Sequence, residues 1–219
     1  TMVMKDLDSA NDFAVTVSDL NVDGSDLEGS VLLVGPPSSH TVTASVVTRD
    51  GSDMSGVGVY VAHKDGSNSS SFETSNDGTV SGAVLPETAS KMMASLTYSS
   101  STKAISSQDA LDALKLSVGM TTAAGTKTAF DFISADFNQD GKVSSQDAPS
   151  ILKYSVGLPT PEQAKWVFID TSGDHSGVSK SNTSYTAGVS IDDLAADTTV
   201  SLTGILIGDV NDSYSGLIA

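Results

Sequence analysis

The chain has 219 residues, enough for one large domain or two small ones with hydrophobic cores of their own. Eleven Lys and Arg stand against 27 Asp and Glu, and the resulting formal charge of −16 excludes an electrostatic fit to nucleic acid or anionic membrane while favouring cations. Cysteine is absent, which excludes disulfides and thiolate metal sites.

No apolar run reaches membrane-spanning length and no signal peptide is present, so membrane insertion is not expected. The opening Thr-Met-Val-Met is not a natural start, and it predicts a fragment of a larger protein. Abundant Ser, Thr and Gly with only 5% aromatics suggest an extracellular β-rich module. A secreted chain without disulfides needs another staple, and calcium at extracellular concentration can supply one.

Taken in chain order, FAVTVSDL (13–20) and SVLLVG (30–35) read as strands, with the acidic NVDGSDLEG between them as a solvated loop. TVTASVVT (41–48), GVGVYVAH (56–63), SFETS (71–75) and TVSGAVL (79–85) are short strands separated by Asp-Gly turns, and MMASLTYS (92–99) closes the set. Val42, Ala44 and Val46 alternate with polar residues, as do Val57, Val59 and Val61. Alternation between Asp-Gly turns is a hairpin signal, and strands at this spacing predict an antiparallel sandwich.

The pattern then changes. ISSQDALDALKLSVGM (105–120) and VSSQDAPSILKYSVGL (143–158) form an internal repeat at an offset of 38 residues, identical at ten of sixteen positions. Each copy predicts a helix, begun by Ser-Ser-Gln-Asp with a carboxylate near the positive end of the helix dipole and ended by Gly119 or Gly157. Leu111, Leu114 and Val118 recur at helical spacing, and so do Ala148, Ile151, Leu152 and Ser155. The two helices are expected to pack together, with Leu114 and Leu152 buried at equivalent positions.

Between the repeats runs DFNQDGKVSSQD (136–147). Oxygen-bearing side chains at alternate positions point inward at one hard cation, a glycine permits the sharp turn, and a later carboxylate closes the shell. This is the logic of the twelve-residue EF-hand-like calcium loop, with ligands at positions 1, 3, 5, 7, 9 and 12. Here those positions are Asp136, Asn138, Asp140, the Lys142 carbonyl, Ser144 and Asp147, with Val143 as the apolar anchor. Asp instead of Glu at position 12 is a shorter arm.

A calcium loop leading into a helix, duplicated, with Ala-x-x-x-Leu-Lys-x-x-Val-Gly, resembles the dockerin family over residues 100–158. The resemblance implies two loop–helix units packed antiparallel, each normally holding calcium. In cellulosomal relatives it also implies a helix face that docks on a cohesin. The second unit matches in full. In the first, Tyr98, Ser100 and Thr102 stand at loop positions 1, 3 and 5, and Lys103 replaces the glycine, so this unit cannot hold calcium by itself.

Beyond the repeat, KWVFID (165–170), AGVSIDDL (187–194) and TVSLTGILIG (199–208) read as strands, and Trp166 as core. Asp170, Ser172 and Asp174 alternate oxygens, but His175 sits where the turn glycine belongs, so a turn is expected there. The ending GDVNDSYSG repeats the opening of a calcium loop, with Asp209, Asn211 and Ser213 at positions 1, 3 and 5. That is the half the first repeat lacks. Two readings stay open: a split second metal site, in which Ser106 and Asp109 meet Asp209, Asn211 and Ser213 with Asp212 as a spare carboxylate, or a relic of a loop that forms only an ordinary turn.

The fold class expected is mainly β: an immunoglobulin-like antiparallel sandwich region over 1–99, a small α-helical dockerin-like pair over 100–160, and β segments over 161–219 that return to the other domains. This order resembles the terminal modules of very large repeat-containing bacterial surface and adhesion proteins. No catalytic residue is assigned. His40, His63 and His175 lie far apart, no Gly-x-Ser-x-Gly elbow or phosphate loop occurs, and a single tryptophan is poor equipment for a carbohydrate cleft. Two functions stay open. One is a non-catalytic, Ca2+-binding structural and adhesion module at the cell surface, facing a host or cell-surface ligand. The other is a calcium-dependent recruiting module that takes a cohesin-like protein partner through Ser107, Gln108, Lys115, Ser145, Gln146 and Lys153.

Overall fold

The computed structural model describes residues 2–6, 13–17, 21–22, 25–26, 39–69, 71–85, 89–122, 125, 127–191 and 196–215. The chain divides into two compact units, 1–39 and 40–219. In the first, β1 (Met2–Asp6) and β2 (Phe13–Val17) pair antiparallel from Met2↔Val17 to Asp6↔Phe13. Within the segment expected to be a loop, β3 (Asn21–Val22) and β4 (Ser25–Asp26) form a two-residue ladder. The strand expected at 30–35 lies outside the described residues.

The second unit is mainly β. Its strands are β5 (His40–Val47), β6 (Gly58–His63), β7 (Phe72–Glu73), β8 (Thr79–Val84), β9 (Ala89–Ser95), β10 (Trp166–Asp170), β11 (Val189–Ser190) and β12 (Thr198–Leu206). They make two four-stranded sheets, ordered β10-β12-β5-β8 and β11-β9-β6-β7. One core lies between the sheets, where Val42, Ala44 and Val46 from β5 meet Val59 and Val61 from β6, Met92 from β9, and Phe168 and Leu202 from β10 and β12. The period-2 alternation read in β5 is the buried face of that sheet. Gly78 ends the turn before β8 at φ 68°, and a Cβ there would stand 2.7 Å from the Val46 carbonyl oxygen, so the turn requires glycine.

The segments after residue 160 complete both sheets. β12 lies parallel to β5 and antiparallel to β10, and β11 adds to the edge of the other sheet beside β9. β10 and β12 are covered on both faces. Phe168 and Leu202 enter the core between the sheets, whereas Val167, Ile169 and Ile205 enter a second core shared with the helices. This double coverage explains why WVFID and GILIG are apolar without alternation.

The helices are α1 (Ser107–Ser117), α2 (Ala129–Ala135) and α3 (Asp147–Ser155). α2 is not part of the repeat. Thr128 begins it with a reciprocal cap, its N–H donating to Asp131 Oδ2 at 2.7 Å while its hydroxyl receives the Asp131 N–H. α1 packs on α3, but through a different face from the one expected. Leu114 and Leu152 are 42% and 44% exposed, and Ala110, Ala113, Leu116, Ala148 and Ile151 are buried instead. Both stripes are apolar, and the alanines win the interface because small side chains let two helices approach closely. The expectation for Leu114 and Leu152 was wrong. No helix among the described residues is long and apolar enough to cross a membrane.

Candidate metal centre

The segment from Asp136 to Asp147 joins α2 to α3 and folds as a closed loop. Asp136 caps α2, and its Oδ1 accepts the Asp140 N–H at 3.1 Å while Oδ2 accepts the Gly141 N–H at 3.0 Å. Asn138 Oδ1 accepts the Asp140 N–H at 3.0 Å. The closing carboxylate, Asp147, takes the Asn138 N–H on Oδ1 at 3.2 Å and the Ser144 N–H on Oδ2 at 2.8 Å. Gln139 and Gly141 hold left-handed backbone, φ 54° and 90°, which curls the loop onto itself. Val143 and Phe137 are buried and anchor it to the helical core. Asp140 leans outward, with Lys142 Nζ 3.8 Å from its Oδ2.

The expected second set is also brought together. The Asn211 N–H donates to Asp109 Oδ1 at 3.0 Å, although the two residues are 102 apart in the chain. The Ser106 N–H donates to Asp109 Oδ2 at 2.8 Å, closing the N-terminal box of α1. Asp209 accepts the Ser213 N–H on Oδ1 at 2.9 Å and the Tyr214 N–H on Oδ2 at 3.0 Å. Ser213 Oγ donates to the Ala104 carbonyl at 2.9 Å, and Ala104 is the counterpart of Lys142. Tyr98, Ser100 and Thr102 stay apart from this arrangement. Ser100–Thr102 form a 3-10 turn, and the Tyr98 ring packs 6.3 Å from that of Tyr214. Asp212 is not spare, because its Oδ1 lies 3.1 Å from Arg49 Nε.

Asp109 and Asp147 are fully buried and Asp209 is 2% exposed. Burial raises the carboxyl pKa of each, and for Asp209 burial together with the neighbouring Asp109 charge pushes it up to about 6, against the N–H groups of Ser213 and Tyr214 and the Arg49 charge. Among the described residues, Asp109, Asp136, Asp147 and Asp209 form no ion pair. Buried carboxylates without a cationic side chain are costly unless a positive ion joins them. No three His, Cys, Asp or Glu side chains cluster as a metal-binding group among the described residues. The two loops instead mix carboxylates with amide, hydroxyl and peptide oxygens, a hard set that suits calcium or magnesium rather than zinc or copper.

Residues outside the repeat also reach these loops. Thr183 donates its hydroxyl to Asp136 Oδ2 and its N–H to the Gly141 carbonyl at 3.0 Å, and the Val143 N–H donates to the Lys180 carbonyl at 2.7 Å. Arg49, from the turn after β5, is the only arginine in the sequence. Its guanidinium donates to Asp131 Oδ1 at 3.2 Å, to Ser134 Oγ at 3.0 Å, and to the carbonyls of Asp209 and Val210 at 3.0 and 3.2 Å. Sequence reading passed over both residues. A lone arginine in a strongly acidic chain was the available signal for the second.

Of the residues expected to face a partner, Ser107, Gln108, Ser145, Gln146 and Lys153 are exposed, and Lys115 Nζ is held at 3.1 Å by Asp112 Oδ1. Asp170 forms a turn, its Oδ1 accepting the Ser172 N–H at 2.9 Å, and His175 Nε2 lies 2.8 Å from the Asp170 carbonyl oxygen. In comparisons with known proteins the chain matches no family model, and neither the curated proteins nor the solved structures contain a significant match.

Proposed function

We propose that this chain is a non-catalytic, calcium-stabilised structural and adhesion module of a larger extracellular bacterial surface protein. In this reading an immunoglobulin-like sandwich carries a dockerin-like loop–helix pair as a packed part of its body. The observation that carries it is the closed loop Asp136–Asp147, whose buried Asp136 and Asp147 have no cationic side-chain partner among the described residues. Further support comes from Arg49 and from β10 and β12, which tie the helical core to the sheets. Thermal unfolding with and without chelator tests the proposal. A site with free ion at 100 times its dissociation constant adds about 2.7 kcal/mol. The melting temperature should fall in chelator, and Asp136→Ala should lose most of that response. An unchanged melting curve in chelator would sink the calcium reading.

A second reading, recruitment of a cohesin-like partner, is favoured by one observation. Leu114 and Leu152, and likewise Val118 and Val156, are exposed at equivalent positions of the two helices. A protein partner captured from the source organism's extracellular fraction and released by chelator, with capture lost in Leu114→Asp and Leu152→Asp, would establish it over the structural role.

A further inference from the structure

The tail 209–214 and the start of α1 reproduce the four carboxylate bonds that close the loop. Asp209 receives two N–H groups from four and five residues on, as Asp136 does. Asp109 receives the N–H of loop position 3 and that of position 9, as Asp147 does. Position 4 is left-handed in both, φ 56° at Asp212 and 54° at Gln139. One atom breaks the parallel. Asn138 Oδ1 has a donor, but Asn211 Oδ1 is buried with no hydrogen-bond partner. Asn211 Oδ1 thus keeps its full acceptor capacity in the segment whose N–H reaches Asp109, and a cation would use it.

We infer that the C-terminal half-loop Asp209–Ser213 and the α1 half-loop Ala104–Asp109 together hold a second hard divalent cation of calcium's size, and that this ion clasps the chain end to the start of α1. The oxygens on offer are those of Asp209, Asn211, Ser213, the Ala104 carbonyl, Ser106 and Asp109. The site deepens the calcium reading above and rests on it. Its two acids against the three of the closed loop make it the weaker site, because affinity follows ligand charge. Arg49 fixes the Asp209 and Val210 carbonyls before any ion arrives, while its own charge, felt at Asp209, weakens the site further. The split also explains a sequence departure. Position 6 needs glycine only where the chain must turn on toward position 7, as Gly141 does at φ 90°. Tyr214 sits there in the tail without left-handed backbone, since position 7 comes from another segment.

Terbium in place of calcium tests this on the whole chain. Trp166, the only tryptophan, packs 4.9 Å from the Tyr214 ring, so exciting it should sensitise an ion at the split site. Calorimetry should count two ions, falling to one in Asp109→Asn, one in Asp209→Asn and one in Asp136→Ala. Tryptophan-sensitised emission should survive Asp136→Ala and be lost in the other two. Circular dichroism in calcium identifies a variant that fails to fold, and the opposite half of the site then supplies the result. A count of one in the unaltered chain that Asp136→Ala abolishes, or a count of two in both Asp109→Asn and Asp209→Asn, overturns the split site. Failure of the closed loop looks different: Asp136→Ala leaves the count unchanged.

Discussion

Asp109 Oδ1 accepts the backbone N–H of Asn211 at 3.0 Å, and this bond closes a loop of over a hundred residues between two half-motifs. The entropy of closing so long a segment grows only logarithmically with its length. Most of that cost is already met by β12, which runs through the middle of a sheet and delivers the chain to Gly208 before the tail begins. A short, well-anchored tail can therefore complete a site whose other half lies far away in sequence.

Arg49 should be intolerant of substitution. Its side chain is 6% exposed and lies against Asp131 and Asp212. These carboxylates are 15% and 31% exposed, so the cost of removing Arg49 falls mainly on the Asp209 and Val210 carbonyls left without a donor, about 1–3 kcal/mol. Arg49→Ala should lose that much in urea unfolding. Arg49→Lys should recover only a small part, because a single ammonium cannot serve two carbonyls and two carboxylates at once.

The two stripes of the helix pair should respond oppositely. Ile151→Ala empties a fully buried position and should cost about 2–5 kcal/mol. Leu114→Ala and Leu152→Ala should each change stability by less than about 1 kcal/mol. A large loss at either leucine, measured by denaturant unfolding, would mean that the exposed stripe is covered in solution.

Gly208→Ala should detach the tail. Gly208 has φ 101°, and a Cβ there would lie 2.8 Å from Phe137 Cε2. Left-handed strain and overpacking each cost about 1–3 kcal/mol. The expected signs are a lower melting temperature and faster proteolysis of the last residues.

The metal-free protein should carry a pH signature from Asp209. Its carboxyl titrates at about 6 when folded and near 3.8 when unfolded. A raised carboxyl pKa favours the folded state while the group is protonated. The contribution is fully present below about 3.8, is lost as pH rises, and is gone above about 6. In chelator, the stability difference between the unaltered chain and Asp209→Asn should therefore shift against the unaltered chain between pH 4 and pH 6 and stay flat above. With calcium the trend should reverse, because protons compete with the ion for the same oxygens.

Local pattern was enough for much of this protein. The alternation of Val42, Ala44 and Val46 identified a half-buried strand, the Asp-Gly turns separated its neighbours, and the repeat placed α1 and α3, because each of these signals is carried by residues close in sequence. The spacing of Asp136, Asn138 and Asp140 marked a closed loop for the same reason, and its echo at Asp209, Asn211 and Ser213 pointed to the tail that meets the start of α1 at Asp109. Tertiary structure decided what spacing leaves degenerate. Two apolar stripes run along α1, and only the approach of α3 selects Ala110, Ala113 and Leu116 over Leu111, Leu114 and Val118. Nothing near Thr198–Leu206 says that it lies parallel to His40–Val47, and nothing near Arg49 says that its partners are 82 and 160 residues away. Those choices belong to the packing of two cores on one sheet, where a residue's neighbours are set by burial and charge and not by its position along the chain.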